Sequence, residues 1–163
     1  FVKLKKQNNK VAIIMGSQSD HSIMKDCEKI LKILKVNFQV LIVSAHRTPK
    51  RMFDFAQTAE KNRFAVIVAG AGGAAHLAGM IASLTTLPVL GVPMETKKLK
   101  GLDSLLSMAQ MPKGVPVGCL SIDGAFNAGI LAASIIGNFD EKVKSNLEKW
   151  RRVQTQSIKK KPK

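Results

Sequence analysis

The sequence predicts an α/β domain, a three-layer αβα sandwich around a central parallel sheet with an additional C-terminal helix. Three observations carry that expectation. Five short apolar runs recur along the chain, and stretches with helical spacing, or rich in small residues, fall between them. The runs are apolar throughout rather than alternating with polar residues, as in strands covered on both faces. Finally, 163 residues with 45% hydrophobic side chains are enough for one sizeable core but not for two.

The elements follow in chain order. Residues 11–15 (VAIIM) form the first strand and stop at Gly16. Ile23, Met24, Cys27, Ile30, Leu31 and Leu34 then share one helical face, with Ser19 or Asp20 available as N-cap. The second strand spans 38–43, and Pro49 at a first helical position opens a helix to about Lys61. The third strand, 65–69, ends at the small-residue segment 70–75, which leads into a helix over about 75–83. The run 89–92 lies between Pro88 and Pro93, and 115–122 is the fifth strand. A strongly apolar helix covers 125–136, and a last helix, 140–156, places Val143, Leu147 and Trp150 on one face. This is the flavodoxin-like or Rossmann-like arrangement. The expected division is a basic tail 1–10, one α/β domain 11–156 and a basic tail 157–163.

The formal charge of +15 suggests nucleic acid until it is located along the chain. Residues 1–10 hold four Lys and no acid, and 142–163 hold nine basic residues against Glu148 alone; the body, 11–141, has 13 basic and 10 acidic residues. Terminal lysine runs are usually solvated, and no aromatic side chains interleave with these ones to stack on bases, so no specific nucleic-acid role is expected. No apolar run reaches the roughly 18 residues of a bilayer span, and residues 1–10 lack a signal peptide's apolar stretch. A soluble, unexported, cytoplasmic protein is expected. Cys27 and Cys119, isolated in apolar contexts, read as reduced thiols and indicate no metal site.

Parallel sheets bind ligands beyond the carboxyl ends of their strands, so the loops after the strands are where chemistry belongs. After the first strand, Gly16, Ser17, Gln18, Ser19 and Asp20 precede a helix; backbone N–H groups and two hydroxyls make an anion cradle there, and Asp20 can accept from ribose hydroxyls. Plain helix capping explains only one or two of the five. After the second strand, Ser44, Ala45, His46 and Arg47 pair a proton carrier with a fixed cation, although a solvent-facing His can also be idle. After the third strand, Gly70, Gly72 and Ala75 loosely match a dinucleotide fingerprint, but no acid follows about 20 residues on. Their small size instead suggests close approach of backbone to a ligand, with His76 opening the next helix; tight helix–strand packing is the alternative. Asn127 can act as a cap or a ligand contact.

These loops carry a resemblance. The stretches IIMGSQSD (13–20), VSAHRTP (43–49), AGAGGAAHL (69–77), VLGVP (89–93), DSLLSMAQMPKGVPVG (103–118) and AFNAGILAA (125–133) resemble, in order, the N5-carboxyaminoimidazole ribonucleotide mutases of purine biosynthesis. The chain differs in having Ala78 where that family commonly has Pro, and in a loop one residue shorter near Asp123 and Gly124. The resemblance implies conversion of N5-carboxyaminoimidazole ribonucleotide to 4-carboxy-5-aminoimidazole ribonucleotide by decarboxylation and recarboxylation, without metal or organic cofactor. It implies a buried His46 as general acid and base and His76 as a second active-site histidine. Substrate binding then falls to Ser17, Asp20 and Arg47, with Gly16, Ser19, Ser44 and Ala45 beside them, while Gly72, Gly73 and Ala74 leave room for trapped carbon dioxide. A homo-octamer with sites at subunit interfaces is implied, with a carboxyaminoimidazole ribonucleotide synthetase as supplier of substrate.

Two rivals stand beside this reading. A sister class, the aminoimidazole ribonucleotide carboxylases that use free carbon dioxide, shares the MGSxSD and SAH elements but usually has Lys where this chain has Arg47, and lacks the GAGGAAHL loop. A non-catalytic nucleotide- or nucleic-acid-binding module accounts for the phosphate loop and the tails but not for His46 beside Arg47.

Overall fold

The computed structural model describes residues 9–161. The expected tail 1–10 lies outside it except for residues 9 and 10, and Lys10 already belongs to the first strand; of the expected tail 157–163, Ser157 ends the last helix, residues 158–161 follow it and are exposed, and 162–163 lie outside the described residues. Five parallel strands form one sheet: β1 (Lys10–Met15), β2 (Asn37–Ile42), β3 (Phe64–Gly72), β4 (Val89–Met94) and β5 (Gly118–Cys119), in the order β2-β1-β3-β4-β5. The helices are α1 (His21–Ile33), α2 (Pro49–Thr58), α3 (Leu77–Ala82), α4 (Leu102–Ala109), α5 (Ala125–Gly137) and α6 (Glu141–Ser157). The expected three-layer architecture is present.

β1, β3 and β4 are buried on both faces, and their side chains alternate between two cores, whereas the edge strand β2, expected from its apolar run to be covered on both faces, is only half-buried to exposed. Val11, Ile13 and Met15 pack with α1, α5 and α6, whereas Ala12 and Ile14 pack with α2, α3 and α4. Cys27 lies in the first core, where burial, with Glu28 nearby, pushes its thiol up to about 12, so it stays protonated at neutral pH. Cys119 is shifted upward by burial, and neither forms a disulfide. α6 begins where Asp140 Oδ1 accepts from the backbone N–H of Lys142 (3.1 Å) and Val143 (3.2 Å). Farther along α6, Asn146 Nδ2 donates to the Leu34 carbonyl at the end of α1 (3.0 Å). Asp140→Ala should therefore lower stability by about 1 kcal/mol, a fall of about 2–4 °C in the thermal midpoint; an unchanged midpoint would show that α6 does not depend on its cap.

Several boundaries differ from expectation. α2 stops at Thr58 rather than near Lys61, because the chain turns through Arg63, whose φ of 68° is left-handed. β3 runs on through Gly70 and Ala71 to Gly72, since pairing with Val92, Pro93 and Met94 overrides the poor strand propensity of small residues. α3 is correspondingly short and begins only at Leu77. The fifth strand shrinks to two residues, following Pro116 and the left-handed Gly114, although Leu120 N–H still donates to the Gly91 carbonyl (2.8 Å). α4 was not anticipated as a helix. Its buried residues are Ser104 and Met108, while Leu102 and Leu106 are about half exposed, so its hydrophobic pattern points away from the core.

Candidate active site

The strand order reverses direction at β1: the chain passes from β1 outward to β2, then returns to β3 on the other side of β1. Loops leaving the carboxyl ends on either side of such a switch point splay apart and leave a crevice. Here they enclose a cleft of about 210 Å3. Gly16, Ser17, Asp20, Ser44, Ala45, His46, Arg47, Gly72, Ala74 and His76 line it, as the sequence led us to expect. Ala71 and Leu77 also line it and were not foreseen; both look like packing residues when read locally. A larger cleft of about 500 Å3 lies at the opposite end of the sheet, between Lys10, Asn37 and Phe139, but contains no histidine.

In the first loop, Ser17 N–H donates to Asp20 Oδ2 (3.0 Å) across a 3-10 turn, Gln18–Asp20. The expected capping of α1 by Ser19 or Asp20 is absent: the Asp20 carboxylate faces back into its own loop. Ser17 Oγ and Ser19 Oγ are 2.5 Å apart, so Ser19 supports the cleft through Ser17 without lining it. In the second loop, Thr48 closes a tight turn, its hydroxyl donating to the Ser44 carbonyl (3.0 Å) and accepting from Ser44 N–H (2.9 Å). Ser44 Oγ accepts from both the backbone N–H (3.2 Å) and Nε (3.3 Å) of Arg47. Arg47 Nη2 reaches across to donate to the Gly16 carbonyl (2.7 Å), tying the first two loops together. One guanidinium thus braces the cleft and places a fixed positive charge in it.

The third loop brings His76 to His46. His46 Nε2 and His76 Nδ1 are 2.9 Å apart, with the rings nearly perpendicular and their centroids 5.0 Å apart. One ring must donate and the other accept, so the pair is a place where a proton can be held and passed on. The burial of His46 that the resemblance implies is not found within one chain: His46, Arg47 and His76 are all exposed, because each projects from a loop beyond the sheet. Gly73, also expected in the cleft, lies just outside it, with φ of 68°. Its N–H donates to Ser104 Oγ (2.8 Å) on α4, a residue missed in the sequence because a serine among leucines carries no positional signal. Asn127 is remote, bordering a groove with Trp150 and Arg151. Among the described residues no three His, Cys, Asp or Glu side chains are grouped as metal ligands, and no helix is long and apolar enough to cross a membrane.

Comparison with known proteins identifies the family and the fold. A family model described as AIR carboxylase matches residues 10–157. The N5-carboxyaminoimidazole ribonucleotide mutase of Brucella melitensis is 53% identical over 154 residues, covering 93% of this chain and 95% of that one. The mutase of Thermotoga maritima is 54% identical over 147 residues, covering 88% and 86%, respectively. The crystal structure of Treponema denticola PurE has the same fold, with a TM-score of 0.84 over 91% of this chain and 93% of that one, at 24% identity. With a family model spanning nearly all of its α/β body and relatives above half identity along most of its length, the chain belongs to the AIR carboxylase family.

Proposed function

We propose that the protein is an N5-carboxyaminoimidazole ribonucleotide mutase, producing 4-carboxy-5-aminoimidazole ribonucleotide in the de novo route to IMP. The observation that carries this reading is the His46–His76 pair, 2.9 Å apart and beside Arg47 at the switch-point cleft. Membership of the family and relatives named for this activity support it.

The reaction moves one carboxylate from nitrogen to carbon. His46 gives a proton to the carbamate nitrogen, the N–C bond breaks, and carbon dioxide is released beside the aminoimidazole. The ring carbon then attacks it to form the C–C bond, and His46 takes back the proton that this carbon loses. Proton and carboxylate are both conserved, so no oxidant, metal or organic cofactor enters the balance. One imidazole serves both steps because one needs an acid and the other a base. His76 holds the His46 ring in place. The substrate phosphate sits against Gly16 and the Ser17 hydroxyl, which Ser19 Oγ supports from behind, with Asp20 on the ribose and Arg47 on the carboxylate; Ser44 and Ala45 shape the wall. Gly72 and Ala74 leave space for the trapped carbon dioxide, from which water must be excluded, and Gly73 supplies the turn beside them.

The exposure of both histidines supports assembly as a homo-octamer, with neighbouring subunits closing each site. Leu102, Leu106, Phe126 and Leu131 are the large apolar side chains left open on α4 and α5 for such contacts. Residues 11–156 constitute the working domain. We place the enzyme in the cytoplasm, receiving its substrate from a carboxyaminoimidazole ribonucleotide synthetase.

The test supplies purified protein with either the N5-carboxylated nucleotide or aminoimidazole ribonucleotide plus bicarbonate. Product from the first without added bicarbonate is expected. Turnover only from the second would reassign the protein to direct carboxylation. Binding without turnover in either case would reduce it to a nucleotide-binding module.

A further inference from the structure

We infer that Ser104 is a positioning residue for the reaction: its hydroxyl sets the turn that delivers His76 to His46. Ser104 lies on α4, outside the cleft, and is completely buried. A serine hydroxyl can donate once and accept as well, and here both capacities are used. It donates to the Met94 carbonyl at the end of β4 (2.8 Å) and accepts from the Gly73 N–H (2.8 Å). One buried atom therefore ties the end of β4 to the loop that leaves β3.

Packing does not hold that loop at Gly73. A Cβ placed there would meet nothing within 4 Å, so the glycine is required for its left-handed φ of 68° and not for space. The hydrogen bond from α4 is what locates it, with a weaker contact from Ser107 Oγ to the Gly73 carbonyl (3.4 Å). The constraint then passes along the backbone. Ala75 N–H donates to the Gly73 carbonyl and His76 N–H to the Ala74 carbonyl, each at 2.8 Å, which leaves His76 Nδ1 at 2.9 Å from His46 Nε2. α4 is itself braced from β4's exit, where Thr96 Oγ1 donates to the Asp103 carboxylate (2.9 Å).

A serine that merely satisfied the Met94 carbonyl would affect stability but not the histidine pair, and a double-mutant cycle separates the two roles. Ser104→Ala is expected to lower kcat about tenfold with KM within about twofold, yet to cost less than about twofold when added to His76→Ala, because the two act through one contact. Equal losses in both backgrounds, or none in the wild-type background, would overturn the inference. Ser104→Cys, close in volume but a weaker hydrogen-bonding group, is expected to fall between and remains informative should the alanine variant fold poorly.

The role rests on reading His46 as the proton carrier held in place by His76, so a readout independent of turnover accompanies the kinetics. The chain has three histidines, and the third, His21, is engaged with Glu28 on α1 (2.6 Å). Ring NMR signals of His46 and His76 should move in Ser104→Ala while those of His21 stay. Unmoved His46 and His76 signals would refute the positioning role even in an active enzyme. Absence of mutase turnover in the wild type would instead refute the proposed reaction, leaving the NMR result to decide the structural coupling.

Discussion

His46→Asn should lower kcat for conversion of the N5-carboxylated nucleotide by about 10³-fold or more, since the loss of a general acid or base costs 10²–10⁴-fold and His46 serves in both directions here. Asparagine is chosen for its polarity and because it cannot carry a proton; its amide ends near the place of His46 Nδ1 and so also gives up the 2.9 Å contact that Nε2 makes with His76. His46 is exposed within the chain, so the substitution should leave the thermal midpoint nearly unchanged, as surface substitutions usually do. Because the substrate contacts assigned to Ser17 and Arg47 remain, KM should change much less than kcat. Steady-state kinetics with the midpoint measured in parallel checks both halves. A loss below about tenfold would mean that water or His76 supplies the proton, and the role assigned to His46 would fall.

The largest expected loss of stability comes from the interior of the α1–α5 contact. Gly129 lies where α5 crosses α1, and a Cβ there would collide with Ile30 Cγ2 and press on the Cys27 carbonyl at 3.2 Å and its Sγ at 3.3 Å. A side-chain end can rotate, but the Cys27 carbonyl belongs to the backbone of α1 and cannot move alone. Gly129→Leu should therefore destabilise the protein by about 3 kcal/mol, the upper part of the overpacking range, and lower the midpoint by about 6–12 °C. Gly137→Ala in the same helix is the control: its nearest atoms lie at 3.4–3.5 Å, and the gain in helix propensity offsets mild crowding. Equal effects of the two substitutions would show that close approach of α1 and α5 is not what limits the packing.

Much of the site was legible because its residues sit in short segments with local meaning. Gly16 to Asp20 directly follow β1, Ser44 to Arg47 come just after β2, and Gly72 to His76 lie at and beyond the end of β3, so the rule that ligands gather at strand ends selected all three segments. Ser104 was illegible for the opposite reason: it is 31 residues from the Gly73 amide it binds, and a polar residue facing the core inverts the pattern by which helices are read. The exposure of His46 was misjudged because burial depends on what surrounds a loop tip rather than on the loop's own residues.

By itself, then, the amino-acid sequence determined the class of fold, the five strands and most helices, since continuous apolar runs and 3.6-residue spacing are local consequences of where side chains must be buried. It also specified which loops carry chemistry. Tertiary structure alone decided the strand order, the extension of β3 through glycine and alanine, the length of β5, the existence of α4, and the meeting of His46 with His76. Those features arise from pairing and packing between segments some 20 or more residues apart, whose energies outweigh local propensity and leave no periodic trace along the chain.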